Sequence, residues 1–400
     1  MENKKSDLKY TLLLGGGAVR GVAYCGAYKA IEEFNIKFDT IAGSSVGALV
    51  AGLIAIGYSS NEIQDIMMSV TYELFKDIQL AIGPQLALSK GEVFLDWIRE
   101  LLEKKFYGEK YSKTKNKAVT FKDLDKNLVI ITTDLSNFKC QEFSKAKTPD
   151  FEVATAIRIS CGMPGLMKPI EYNNTVLVDG DLQKSAPMWS LTETLQPNDE
   201  RTMEIRLEGD FHGNDHNIIE YLNAIYSYAT STGTNFLSEL YGQRDDYDYI
   251  ILDTGDLNIV DFNLSSEKRH ALIESAYNQT VKYFKNDLKE KKNNLLKIYN
   301  NIKLHLQEFK KHINKNEILL AKCEIGILYA DLAESIQLIS EADKASLNNL
   351  KNTFCSSIKN PIIFGKPRLS NEKLVETTYT ACEERITRKI NEFEHYINSI

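Results

Sequence analysis

The sequence predicts an α/β fold with a mainly parallel sheet over its first part and an all-helical module over its last. Three observations carry this reading. Short apolar runs alternate with segments of helical spacing, and twenty of the 22 glycines precede residue 286. No proline falls between Pro197 and Pro361, which leaves long helices free to form there. In chain order, residues 9–14 read as a short apolar strand ending in Gly15-Gly16-Gly17. Residues 20–34 then place Val22, Tyr24, Cys25, Tyr28 and Ile31 at helical spacing. A second strand, 38–42, leads through Gly43-Ser44-Ser45-Val46-Gly47 into an apolar helix that stops near Gly57. Ser59 followed by Glu62 is a capping box that opens the next helix. Further strands are expected at 127–134, 175–178, 203–207 and 249–252. Strand, helix, strand at this spacing means parallel strands joined by right-handed crossovers. Beyond residue 286, Leu288, Leu295, Ile302 and Phe309 recur every seven residues. Val375, Tyr379, Cys382, Ile386, Phe393, Ile397 and Ile400 follow a 3-4 spacing. Two or three long helices result, with Pro361 and Pro367 bracketing a loop before the last. The heptads are few and imperfect, so a bundle is favoured over an extended coiled coil. The expected division is residues 1–286 and 287–400.

Composition narrows the function classes. Of 400 residues, 43% are hydrophobic and 26% charged, the balance of a globular chain and not of a disordered or fibrous one. The longest nearly apolar stretch, 46–58, is far shorter than the roughly 20 residues a spanning helix needs. The N-terminus has Lys4, Lys5 and Lys9 but no apolar core of a signal peptide. A cytoplasmic location is therefore expected. Cysteines 25, 140, 161, 323, 355 and 382 form no CxxC pair, which speaks against a zinc site and against a disulfide framework. A net charge of −7 makes nucleic acid an unfavourable partner.

The chemistry concentrates in three short motifs. Gly43-x-Ser45-x-Gly47 is a nucleophile-elbow candidate, in which small neighbours permit a strained strand-to-helix turn that exposes the serine hydroxyl. The bland alternative for Ser45 is a helix N-cap. A preceding strand and a following apolar helix favour the elbow, because a helix N-terminus brings N–H groups and positive dipole beside the hydroxyl. A histidine base is poorly supplied. The six histidines are 212, 216, 270, 305, 312 and 395, and His212 and His216 lie in a polar stretch that reads as a solvent loop. A carboxylate is the better base. The turn from Gly15 to Gly21 fails both nucleotide fingerprints, since Arg20 stands where a dinucleotide site needs glycine and Gly21-Val22-Ala23 where a phosphate loop needs Gly-Lys-Ser/Thr. In an adjacent parallel strand it lies beside Ser45, where its N–H groups can hold an oxyanion.

These residues resemble the patatin-like phospholipase family, in particular its bacterial members. The resemblance rests on the glycine-rich turn 15–21, on Gly-x-Ser45-x-Gly and on Asp179-Gly180-Asp181, in that order, and spans roughly residues 8–285. Similar intervening chain includes residues 120–124, 156–160, Pro164, Pro169 and Pro187. The resemblance implies a three-layer α/β/α domain and a Ser-Asp dyad of Ser45 and Asp179. It also implies an oxyanion hole from Gly15, Gly16 and Gly17, with Gly43, Gly47, Gly180 and Arg20 in support, and neither metal nor cofactor. The activity it implies is a serine lipid acyl hydrolase of phospholipase A or lysophospholipase type. The alternative is a catalytically weak patatin-like scaffold acting through its C-terminal helices. Arg20 is read as a brace for the glycine turn, with a phosphate contact as the second option.

Two departures from the family pattern stand out. Asp181 replaces a glycine or alanine, and Lys184-Ser185 stand where asparagine is common. A second carboxylate disfavours ionisation of the base, so Asp181→Gly is expected to leave activity similar or raise it. Residues 78–88, apolar around Gly83-Pro84, read as a lid or as core; so do Met163, Leu166 and Met167. Residues 104–122 hold seven lysines against Glu109, either a solvated loop or a contact for anionic lipid headgroups. The expected partners are a phospholipid membrane surface, met peripherally, and a protein activator or regulator acting through the C-terminal helices. Several relatives in that family are exported effectors without a cleavable signal, and the sequence leaves that route open.

Overall fold

Five buried, strand-prone residues make β1 (Tyr10–Leu14), and its two faces are equally covered. The computed structural model describes residues 10–70, 87–114, 116–183, 195, 201–209, 241–257, 264–359 and 366–399. Among them the chain forms two compact units. One comprises Asp7–Leu240 and Tyr249–Lys282; the other comprises Tyr241–Asp248 and Tyr283–Ile400.

The first unit is built on one sheet. Beside β1 lie β2 (Phe38–Ser44) and β9 (Arg201–Glu208), both parallel to it, and β4 (Asn127–Asp134) runs parallel to β2. β5 (Lys139–Ser144) returns antiparallel to β4, while β8 (Thr175–Val178) and β7 (Ile170–Tyr172) extend the sheet in antiparallel fashion. β10 (Tyr247–Asp253) follows β9 at the other edge. β3 (Ala87–Ser89) and β6 (Gly165–Met167) form a separate parallel pair. Nearly every residue of β4 and β9 is buried whichever face it points to, as helices on both sides of the sheet require. The fold is therefore a three-layer α/β/α domain with a mainly parallel sheet.

The helices follow from the local signals. After β1 the chain makes a 3₁₀ turn, Ala18–Val22, and then α1 (Ala23–Glu33). α2 (Val46–Ala55) is apolar throughout and buried throughout. α3 (Ser60–Ser69) opens on the predicted capping box, with Ser59 N–H donating to Glu62 Oε2 at 2.8 Å and Glu62 N–H to Ser59 Oγ at 3.4 Å. α4 (Glu92–Tyr107) and α5 (Val153–Ser160) complete the first half, and α6 (Ser266–Lys282) packs against α1. That crossing is close: a Cβ on Gly26 would stand 2.0 Å from the Ile273 carbonyl oxygen.

In the second unit α7 (Leu288–Asn314) buries Leu288, Leu295, Ile302 and Phe309, the seven-residue repeat. α8 (Ile318–Asp331), α9 (Glu341–Ser357) and α10 (Glu372–Ser399) complete a helical bundle, with one short antiparallel pair, Ile358–Lys359 against Arg368–Leu369. The stripe on α10 is buried from Val375 to Phe393 and includes Ile390, while Ile397 is half-buried. Ile400 lies outside the described residues. The bundle starts at Tyr283, where a π-helical turn runs to Asp287, and takes in Tyr241–Asp248 from far upstream. Tyr299 explains that recruitment: its hydroxyl lies 2.6 Å from Asp245 Oδ2 and 2.6 Å from Asp343 Oδ2, and Lys389 pairs with Asp245 at 3.1 Å. Burial, and then the charge of Asp245, raise the pKa of Asp343. No helix among the described residues is long and apolar enough to cross a membrane.

Candidate active site

Register assembles the site. Leu14 on β1 pairs with Gly43 on β2, and Ser44 pairs with Ile131 on β4, so the carboxyl ends of three parallel strands share one edge. Loops at such an edge are where α/β sheets bind ligands. Ser45 follows β2 at once and has φ 52° and ψ −130°, a conformation that side chains rarely adopt. The neighbouring glycines make it possible. A Cβ on Gly43 would stand 2.3 Å from the Gly47 carbonyl oxygen, and one on Gly47 would stand 2.1 Å from that of Leu14. Ser45 N–H donates to Ser160 Oγ at 3.0 Å, and the Ser160 hydroxyl donates to Ile131 O at 2.6 Å, which anchors the turn to α5 and β4.

β8 runs antiparallel to β4 and delivers Asp179 to the same place. Ser45 Oγ donates to Asp179 Oδ2 at 2.8 Å, and both side chains are buried. The other carboxylate oxygen, Oδ1, accepts the Asp181 N–H at 2.8 Å, while Thr133 Oγ1 donates to the Asp179 carbonyl at 2.9 Å. Gly180 is needed here, since its Cβ would meet Ile131 O at 2.1 Å. The Cys161 thiol donates to Ser45 O at 3.0 Å; burial, followed by the Asp179 charge, holds its pKa well above the usual thiol value. His270 is exposed and bonds within its own helix, and His212 and His216 lie outside the described residues.

The glycine turn reaches the site in part. Gly15 N–H donates to Ile205 O at 3.1 Å and Gly16 N–H donates to Asp181 Oδ1 at 3.0 Å, so neither is aimed at Ser45. Among the described residues the N–H groups of Gly17 and Ala18 have no acceptor. Ala18 has φ 49° and lines one cleft together with Ser45 and Asp179. Sequence reasoning passed over Ala18 because an alanine carries no sign of the left-handed backbone; its place directly after three glycines was the available signal. Arg20 Nε and Nη2 donate to Leu257 O at 3.0 and 2.7 Å.

The cleft is apolar. Val46, Leu49, Met67, Phe94, Met163 and Leu166 line it, with Arg269 also on its wall. Arg269 is itself engaged, its Nη1 donating to Met67 O at 3.1 Å and its Nε to Leu264 O at 3.1 Å. Of the expected lid, residues 78–86 lie outside the described residues, as do Lys184 and Ser185. The lysine-rich run is less basic in space than along the chain: Lys104 pairs with Glu100, Lys105 with Glu62 and Lys122 with Asp150, at 2.6, 2.6 and 2.5 Å.

The family described as patatin-like phospholipase matches residues 12–191. The chain is 28% identical over 294 residues to the uncharacterized protein YqhO of Bacillus subtilis, covering 68% of this chain and 97% of that one. It is also 28% identical over 183 residues to the probable lipid hydrolase 463L of invertebrate iridescent virus 6, covering 44% of this chain and 61% of that one. VipD from Legionella pneumophila shares the fold, with a TM-score of 0.51 at 14% identity over 97% of this chain and 90% of that chain.

Proposed function

We propose, on the premise that residues 12–191 carry a patatin-like phospholipase domain, that the chain is a serine lipid acyl hydrolase of phospholipase A or lysophospholipase type. One observation carries the reading: the Ser45 hydroxyl donates to Asp179 at 2.8 Å at the floor of an apolar cleft. Asp179 Oδ2 takes the hydroxyl proton as Oγ attacks the acyl carbonyl carbon. The N–H groups of Gly17 and Ala18 receive the negative charge that develops on the carbonyl oxygen. The tetrahedral intermediate collapses, Asp179 returns the proton to the departing alkoxide, and the acyl group stays on Ser45. Water then gives a proton to Asp179 as it attacks the acyl-enzyme carbonyl, and Asp179 passes that proton to the departing Ser45 Oγ as the fatty acid is released. Burying the acyl chain against Leu49, Phe94, Met163 and Leu166 supplies the hydrophobic part of substrate binding, at about 0.8 kcal/mol per methylene. The substrates are drawn from a phospholipid surface.

A fluorophosphonate probe tests this directly. It should label Ser45, identified by peptide mapping, in the wild-type chain, and Asp179→Asn should abolish the labelling. Labelling at another serine, or undiminished labelling of the Asp179→Asn variant, refutes the dyad.

A further inference from the structure

We infer that Asp181 is a positioning residue, whose buried carboxylate pins the glycine turn at Gly16 so that Ala18, on the cleft wall, and its neighbour Gly17 hold their N–H groups in place. Its catalytic part rests on the hydrolase reading above. Asp181 is 3% exposed and touches three parts of the site at once. Its Oδ1 accepts from Gly16 N–H at 3.0 Å and from Ser44 Oγ at 3.2 Å, and its own N–H donates to Asp179 Oδ1 at 2.8 Å. The glycine turn, the residue before the nucleophile and the base are thus joined through one side chain. The fit is tight. A Cβ on Gly16 would stand 2.4 Å from Asp181 Cγ, so the carboxylate fills the space that Gly16 leaves open.

The carboxylate has a cation to offset it. Arg206 is buried, lies against Gly15 and pairs with Glu204 at 2.5 Å; despite burial, which works against its charge, the fields of Glu204 and Asp181 hold it protonated. Direction matters too. Ala18, Val19, Ser45 and Asp179 line the cleft, whereas Gly16, Gly17 and Asp181 are not among its described walls, so the tether holds the turn one step back from the cleft-lining Ala18. A glycine turn without this contact has several accessible backbone states, and an oxyanion site works only when its donors are held in place beforehand. This reverses the expectation that Asp181 merely burdens Asp179 with a second negative charge.

The test compares the full-length wild-type chain with Asp181→Ala and Asp181→Asn, using a short-chain nitrophenyl ester and deuterium exchange of residues 15–19. Asp181→Ala should lower kcat by about 10- to 100-fold with KM little changed, the scale on which misplaced groups or lost oxyanion donors act. Exchange in the turn should rise in the same variant. Asp181→Asn keeps an oxygen that can accept from Gly16 and Ser44, so it should restore most of kcat and the protection. A kcat in Asp181→Ala at or above that of wild type overturns the inference, and so does Asp181→Asn as impaired as Asp181→Ala. Should the alanine variant not fold, Asp181→Asn decides alone: retained kcat and protection support the tether, and loss of either overturns it. Wild-type protein inert to both ester and fluorophosphonate overturns the hydrolase reading instead. The exchange arm then supports or overturns the tether independently.

Discussion

Replacing Ser45 by glycine and by alanine separates the strain of the elbow from its hydrogen bond. Both variants lose the bond to Asp179, a contact with a charged acceptor that contributes about 1.5–3 kcal/mol. Alanine keeps a Cβ at φ 52° and ψ −130°, a conformation that costs about 1–3 kcal/mol. Glycine removes that strain but gains freedom in the unfolded chain, a cost of about 0.5–1 kcal/mol. The central values place Ser45→Gly about 1 kcal/mol above Ser45→Ala in stability, with both devoid of activity. Urea titration followed by tryptophan fluorescence reads this, because Trp97 lies on α4 of the first unit. An alanine variant as stable as the glycine variant, or more so, refutes the claim that the nucleophile sits on a strained turn.

Glu62 governs an acid-sensitive contribution. Lys105, and then the Ser59 cap, lower its pKa from 4.5 to about 2, so its stabilisation is present above 4.5 and fades as pH falls through about 2. The side chain is 44% exposed, so solvent screening reduces the effect to about 0.5–1 kcal/mol. Glu62→Gln should therefore destabilise at neutral pH and match wild type near pH 2; a constant gap across that range contradicts the assignment. A chain ended at residue 286 keeps Asp245 and Asp248 but lacks Tyr299, Lys389 and Lys291, the groups that hold their carboxylates. It should aggregate on expression and regain solubility when the helical segment is supplied separately; a soluble monomer contradicts the integration of Tyr241–Asp248 into the bundle.

Much of the frame was legible in the chain because the strongest signals are local. β4 and β8 coincide with their expected limits, since each is a run of strand-formers that ends on or beside polar residues, Asn127 and Asp134 for β4 and Asn174 and Asp179 for β8. The capping box at Ser59 and the seven-residue repeat on α7 depend only on near neighbours, and both are present as read. Long-range pairing was not legible. The strand expected at 203–207 extends over Arg201–Glu208, and Arg201, Glu204 and Arg206 are all buried, Arg206 paired with Glu204 on the same strand and Arg201 set over the Tyr10 ring of β1. Ser160 is singled out by no local signal, and only the fold shows it joining Ser45 to Ile131. Asp181 illustrates the limit most clearly. Its charge was readable beside Asp179, whereas its bond to Gly16 joins residues 165 positions apart.

The central claim, that Ser45 and Asp179 cleave acyl esters of lipids, is tested most directly by mass-spectrometric analysis of mixed phospholipid vesicles incubated with wild-type, Ser45→Ala and Asp179→Asn proteins. The account predicts free fatty acid and lysophospholipid from the wild-type chain. It predicts background levels from both variants, each with wild-type circular dichroism, since the two groups act as one unit. Fatty acid release that persists in either variant, or a wild-type product set in which the headgroup and not the acyl chain is cleaved, contradicts it.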